Sequence, residues 1–161
     1  MLFNLERLSV TGDGRFASDQ ELKFLQGYSR SFSQRKAVYL KLQAAEKKIL
    51  EQVYAKMRSL NPKLFMNGNL DMSEKWKRDT LLVIRHSAMA MLLDDPEYLK
   101  QEFLLWFQTL MQAFGTEENC RITYSVMQDV VKHMFNEPEA QLINPILALN
   151  EEILGTSKVA G

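Results

Sequence analysis

The chain has 161 residues, a single cysteine, and 20 Lys+Arg against 20 Asp+Glu. Hydrophobic residues make up 46% and charged ones 25%, which is ordinary for a soluble globular protein and suits one compact domain. Zero net charge argues against nucleic-acid binding, no apolar run is long enough for a bilayer span, residues 1–10 lack a signal-peptide pattern, and a lone Cys120 rules out an intrachain disulfide. The expected compartment is the cytoplasm.

Met1–Leu8 is amphipathic through Leu2, Phe3, Leu5 and Leu8. It is too short to be a stable helix alone, so residues 1–12 are expected to form a helical extension that packs on something. Thr11-Gly12-Asp13-Gly14 is a turn. Ser18-Asp19-Gln20-Glu21 has the capping-box pattern and opens a helix carrying Leu22, Phe24, Leu25 and Tyr28. That helix is expected to stop near Ser29–Ser33. A longer one follows over Gln34–Leu60, with Val38, Leu42, Ala45, Ile49, Val53, Met57 and Leu60 as one stripe and Asn61-Pro62 as its end. Asn67-Gly68-Asn69 signals a loop. Ser73 is the expected N-cap of a helix reaching Leu93, buried in its second half.

Asp94-Asp95-Pro96-Glu97 starts the next helix, which ends at Gly115. Thr116-Glu117-Glu118-Asn119 opens another, with Ile122, Val126, Val130, His133 and Met134 along one side. Asn136-Glu137-Pro138 breaks it, and a last helix covers Glu139–Leu154, with Pro145 as a kink or a late start. Residues 155–161 read as a frayed tail. No alternating strand pattern or internal repeat appears. Seven to eight helices with short connections make an all-α domain over residues 1–161, of globin type or a helical bundle.

The helix from Ser73 carries the candidate site. Arg78 and Arg85 are i, i+7 and share one line of it; Asp79 and His86 form the neighbouring line, with Leu82 and Met89 beside them. Two cations about 10 Å apart, a carboxylate and apolar ground between suit a long flat ligand with anionic arms. The plain alternative is a solvent-facing set of ion pairs. Phosphate-binding loops, zinc-protease motifs and serine nucleophile elbows are missing, so no enzymatic activity is expected. His86 or His133 as a haem ligand is a lesser alternative. Cys120 reads as a small packing residue.

The order of these signals resembles the phycobiliproteins, the cyanobacterial light-harvesting globins. Gly14-Arg15-Phe16-Ala17-Ser18 with Glu21-Leu22 resembles their "GRFLS..EL" opening. Lys75-Trp76-Lys77-Arg78-Asp79 is similar to the chromophore motif Lys-Cys-x-Arg-Asp, the spacing to Arg85 fits "YYLR", and Asp94-Asp95-Pro96-Glu97-Tyr98 looks like a shortened turn into the next helix. The resemblance spans about residues 10 to 155. It implies a phycocyanin-type globin fold with an N-terminal extension, Asp79 bonding the pyrrole nitrogens of a linear tetrapyrrole, Arg78 holding a propionate, and Tyr98 near the pigment. Lys75, Trp76, Leu82, Arg85 and His86 complete the expected site.

Two departures matter. Trp76 stands where the family has its thioether-forming cysteine, and Cys120, on another helix, is expected to be out of reach. Thr11 replaces the aspartate of the family's dimer contact, with Asp13 displaced, which leaves Arg85 without its usual partner. The chain looks closest to the bilin biosynthesis-associated globins. The resemblance therefore implies noncovalent binding of a bilin such as biliverdin or phycocyanobilin, a carrier or scaffold role tied to bilin metabolism, and dimerisation with itself or a related globin, with bilin-pathway proteins as further partners. A pigment-free assembly protein is the rival. Trp76 would either stack on a pyrrole ring or plug the pocket.

Overall fold

The structure, a computed structural model, describes residues 1–157. Its helices are α1 (Leu2–Thr11), α2 (Asp19–Leu60), α3 (Ser73–Leu93), α4 (Pro96–Leu99), α5 (Leu105–Phe114), α6 (Glu117–Met134) and α7 (Glu137–Leu154). A π-helical turn, Lys100–Leu104, joins α4 to α5 without a break. The all-α expectation holds, with one small addition. Met66–Asn67 and Leu70–Asp71 pair as an antiparallel hairpin, β1 and β2, with Gly68 at its tip at φ +59°. Strands of two residues leave no alternation to read in the sequence.

The largest correction is α2, which runs unbroken for 42 residues instead of stopping at the serines. Serine is only a mild helix-weakener, and Ser31 spends its hydroxyl on the Tyr28 carbonyl within the helix. The capping box at Ser18 forms with Glu21, and Arg15 forks onto the same Glu21 carboxylate at 2.6 and 3.0 Å. Those bonds, led by Arg15, hold the Glu21 carboxyl down at about 2.

α2 packs on α3 and α6, and α6 lies along α7. The centre is Val53, Met57, Val83, Met91, Leu104, Met127 and Leu154, none more than 1% exposed. Burying each such side chain contributes about 1.5–3 kcal/mol, so this cluster fixes how α3 and α6 face each other. The expected stripe on α2 is buried from Val38 to Met57 except at Ala45, which is half-buried, and Leu60 lies in solvent at the helix end. On α6, His133 turns out to be exposed, its Nδ1 against the Asp129 carbonyl.

Several helix ends differ from the sequence reading for local reasons. Ser73 is the first residue of α3, not its cap. Asp71 Oδ1 accepts from the Ser73 amide at 2.8 Å and from its hydroxyl, and Ser73 is buried. α7 begins two residues early because Asn136 caps it reciprocally with Glu139, and Pro138 sits in the first turn where no amide is needed. The helix continues through Pro145. That ring deprives the Gln141 carbonyl of its donor, and both residues face solvent, where water serves instead. Gln112 Nε2 donates to the Thr156 carbonyl, so the chain is tied down as far as Thr156; the rest of the expected frayed tail, residues 158–161, lies outside the described residues.

Asp95 joins the extension to the body. Its Oδ2 receives the Met1 ammonium at 3.0 Å and the Phe3 amide at 2.8 Å, while Oδ1 caps α4 through the Tyr98 amide. One residue earlier, Asp94 ends α3 in the left-handed region and pairs with Arg35 of α2 at 2.7 Å. The extension is thus fastened at its start. Its apolar side is not covered: α1 buries no residue, and Leu2, Phe3 and Leu5 are each about 40% exposed.

Candidate functional site

A cavity of about 370 Å³ opens between α3 and α6. That is near the lower end of the about 300–1,000 Å³ range typical of small-molecule sites. Two helices present matching sets to it: Lys75, Trp76, Asp79 and Thr80 from α3, and Asn119, Cys120, Thr123 and Tyr124 from α6. Both are i, i+1, i+4, i+5 patterns, which place four residues on one helical face. α5 adds Phe107, Met111 and Phe114, and Gly115, left-handed at φ +63°, turns the chain so that α6 starts beside the cavity. Met66 and Leu70 of the hairpin close the remaining side.

Trp76 is built into the wall. Its Nε1 donates to Thr123 Oγ1 at 3.0 Å, and its ring meets Phe65 edge-on at 5.2 Å and Tyr54 at 5.9 Å. Lys75 Nζ bonds Asp79 Oδ2 at 2.6 Å and lies 5.2 Å from the centre of the Phe114 ring. Deeper in, burial pushes the Cys120 thiol up to about 12 and the Tyr124 phenol well above its ordinary value, with the Asp79 charge adding to both. The expectation that Cys120 lies out of reach is therefore corrected: it lines the same cavity as Trp76.

Of the residues singled out in the sequence, Lys75, Trp76 and Asp79 come together here. Arg78 is outside the lining, its Nε 3.7 Å from Asp79 Oδ1, and its side chain is 77% exposed. The line from Arg78 to Arg85 lies one residue, about 100°, around the helix from the residues that face the cavity. Arg85 forks instead onto Glu46 of α2 at 2.9 and 2.8 Å, so it does have a partner, within its own chain. That fork holds the Glu46 carboxyl below its ordinary value. Leu82 is outside the lining and 41% exposed. His86 stacks on Phe103 with ring centres 4.0 Å apart, outside the lining, and partial burial lowers its pKa. Tyr98 lies on α4, away from the cavity. His133 is also outside it.

The sequence reading missed the α6 wall. Its signal was the polar set Asn119, Cys120, Thr123 and Tyr124 on one face of a helix whose other buried positions are aliphatic.

A family model described as phycobilisome protein matches residues 9–151. No curated protein matches the chain. Among the described residues, no helix is long and apolar enough to cross a membrane.

Proposed function

The chain belongs to the phycobilisome protein family, globin-like and all-α, and from that premise we propose that the cavity between α3 and α6 holds a linear tetrapyrrole without a covalent bond. The observation that carries this reading is the convergence of Lys75, Trp76 and Asp79 on a cavity with no reactive sulfur. A thioether needs a thiolate-forming cysteine. Trp76 offers none, and Cys120 is kept protonated by burial.

Binding requires an exchange of partners. Asp79 gives up Lys75 and accepts pyrrole N–H groups; Lys75 at the rim and Arg78, reaching in from outside the lining, take the propionates. The protein acts as a bilin carrier or scaffold linked to bilin metabolism, with biliverdin or phycocyanobilin as ligand, and performs no chemistry on it.

Purified protein mixed with biliverdin is expected to gain a red-shifted absorption band. After denaturation and electrophoresis, zinc-induced fluorescence should run with the dye front; pigment moving with the chain would overturn the noncovalent reading. Asp79→Asn should keep the fold, because the Lys75 pair is partly exposed and such pairs contribute no more than about 1 kcal/mol. Its biliverdin affinity should fall about tenfold or more, the size of a charge-assisted hydrogen bond. Wild-type affinity in that variant would remove Asp79 from the site.

Assembly belongs to the same proposal. Leu2, Phe3, Leu5 and Phe32 are each about 40% exposed, and Phe16 is 99% exposed. Exposed apolar residues on α1, on the loop after it and on the first half of α2 fit a second copy or a related globin. Thr11 spends its hydroxyl on the Arg7 carbonyl within α1, so this contact rests on apolar cover rather than on a charge at that position. Sedimentation velocity at tens of micromolar should show a dimer, and Leu5→Glu should shift it to monomer. A wild-type monomer would count against self-association.

A further inference from the structure

The cavity runs from a charged, open rim to a neutral, enclosed floor. At the rim, the side chains of Asp79 and Lys75 are 25% and 37% exposed, with Arg78, 77% exposed, outside the lining beside Asp79. At the floor, Thr80 is 4% exposed and Tyr124 2%. Both line the cavity, and among the described residues neither hydroxyl has a hydrogen-bond partner. Nor are they sealed off. The fully enclosed polar atoms without a partner are Asn144 Oδ1 and Asn150 Oδ1, so the Thr80 and Tyr124 oxygens keep surface open to the cavity. The contrast with Thr123 is informative. Its hydroxyl, on the same wall, accepts from Trp76 and donates to the Asn119 carbonyl. Thr123 belongs to the architecture, whereas Thr80 and Tyr124 are held ready for something else.

A buried hydroxyl without a partner destabilises a fold. Two of them on one small cavity point to a ligand that satisfies both. Each hydroxyl can donate one hydrogen bond and accept others. Among the described residues, no cation other than the Asp79-paired Lys75 lines the cavity, so a carboxylate at this depth would be buried uncompensated. The group that fits is neutral and offers an acceptor and a donor side by side.

Resting on the reading of this cavity as a bilin site, we infer that Thr80 and Tyr124 bind the lactam edge of a terminal pyrrolinone ring, one hydroxyl donating to its C=O and the other accepting from its N–H. The pigment enters end first. Its uncharged terminal ring reaches the floor, while both propionates stay at the rim with Lys75 and Arg78. Burial keeps the Tyr124 phenol neutral, so it remains a donor throughout the physiological range.

Tyr124→Phe and Thr80→Val remove the hydroxyls and keep the shapes. Each variant is expected to bind biliverdin about 3- to 12-fold more weakly by absorbance titration, the worth of one neutral hydrogen bond. Each unliganded variant should melt at or above the wild-type temperature, since an unpartnered polar group has been removed. Biliverdin dimethyl ester separates the two ends of the ligand. Tyr124→Phe should weaken free acid and ester alike, whereas Lys75→Ala should weaken only the free acid. If the wild type binds no biliverdin, the bilin reading itself fails. If the wild type binds but both hydroxyl variants keep its affinity, the lactam assignment alone fails. A lowered melting temperature, or a Tyr124→Phe effect that disappears with the ester, overturns that assignment too.

Discussion

Trp76→Ala is expected to lower the unfolding free energy by about 3 kcal/mol, the low end for removing a large aromatic side chain. The low end applies because the indole is only partly buried, with one side on the cavity. What is lost is specific: the Nε1 bond to Thr123, the edge-on contact with Phe65, and the contact with Tyr54. Urea denaturation measures the cost, and a change below about 1 kcal/mol would mean that the indole is not anchored. The same variant decides what Trp76 does for a ligand. An indole tied along one edge cannot swing into the cavity to close it, but its free face can lie against a flat ring. Biliverdin binding should therefore weaken in Trp76→Ala. A tighter complex would show that the indole acts as a plug.

Asp95→Ala should be the most damaging substitution outside the apolar core, costing about 3–5 kcal/mol. The carboxylate is 3% exposed and serves three donors from two parts of the chain. Its removal leaves the Met1 ammonium and the Phe3 and Tyr98 amides without that acceptor, loosening α1 and the cap of α4 together. The pH dependence follows from the same geometry. Burial alone would raise the Asp95 carboxyl, but the bonds from Phe3, the Met1 ammonium and Tyr98 outweigh it and hold the carboxyl below its ordinary value. A depressed carboxyl contributes stability that is complete above the unfolded value, about 4, and lost as pH falls through the lower folded value. Stability measured from pH 7 down to 2 should therefore drop more steeply below about pH 4 in the wild type than in Asp95→Asn. Parallel curves would exclude Asp95 as a source of the acid sensitivity.

The fold class and one wall of the cavity were legible in the sequence, for physical reasons that also explain what it hid. The α3 wall lies within six consecutive residues, so a short motif could expose Lys75, Trp76 and Asp79. The α6 wall lies about 40 residues further on. Its facing partner depends on how Met57, Val83 and Met127 pack, which no local pattern encodes. Cys120 was expected to be remote for that reason. Arg85 went the other way. Helical periodicity put it on a line with Arg78, but whether that line met a ligand or Glu46 depended on which side α2 occupied. The break expected at Ser29–Ser33 failed because helix propensity there is weak rather than prohibitive, and capped helical turns on either side carry the chain across.

That unbroken helix has a consequence for how the protein meets a partner. In α2 the first buried side chain is Val38, and Arg35 is tied to the Met91 carbonyl and to Asp94, so the turns before Arg35 run beyond the core and draw less order from it. A half-exposed helix of that length is near the limit at which helices persist unaided in water. Its backbone opens locally at a far smaller free energy than the half that carries Val53 and Met57. A subunit docked on Leu22, Leu25 and Phe32 would quiet this opening, and part of the association energy would go to ordering one end of a rod whose other end, through Tyr54, already rests against Trp76.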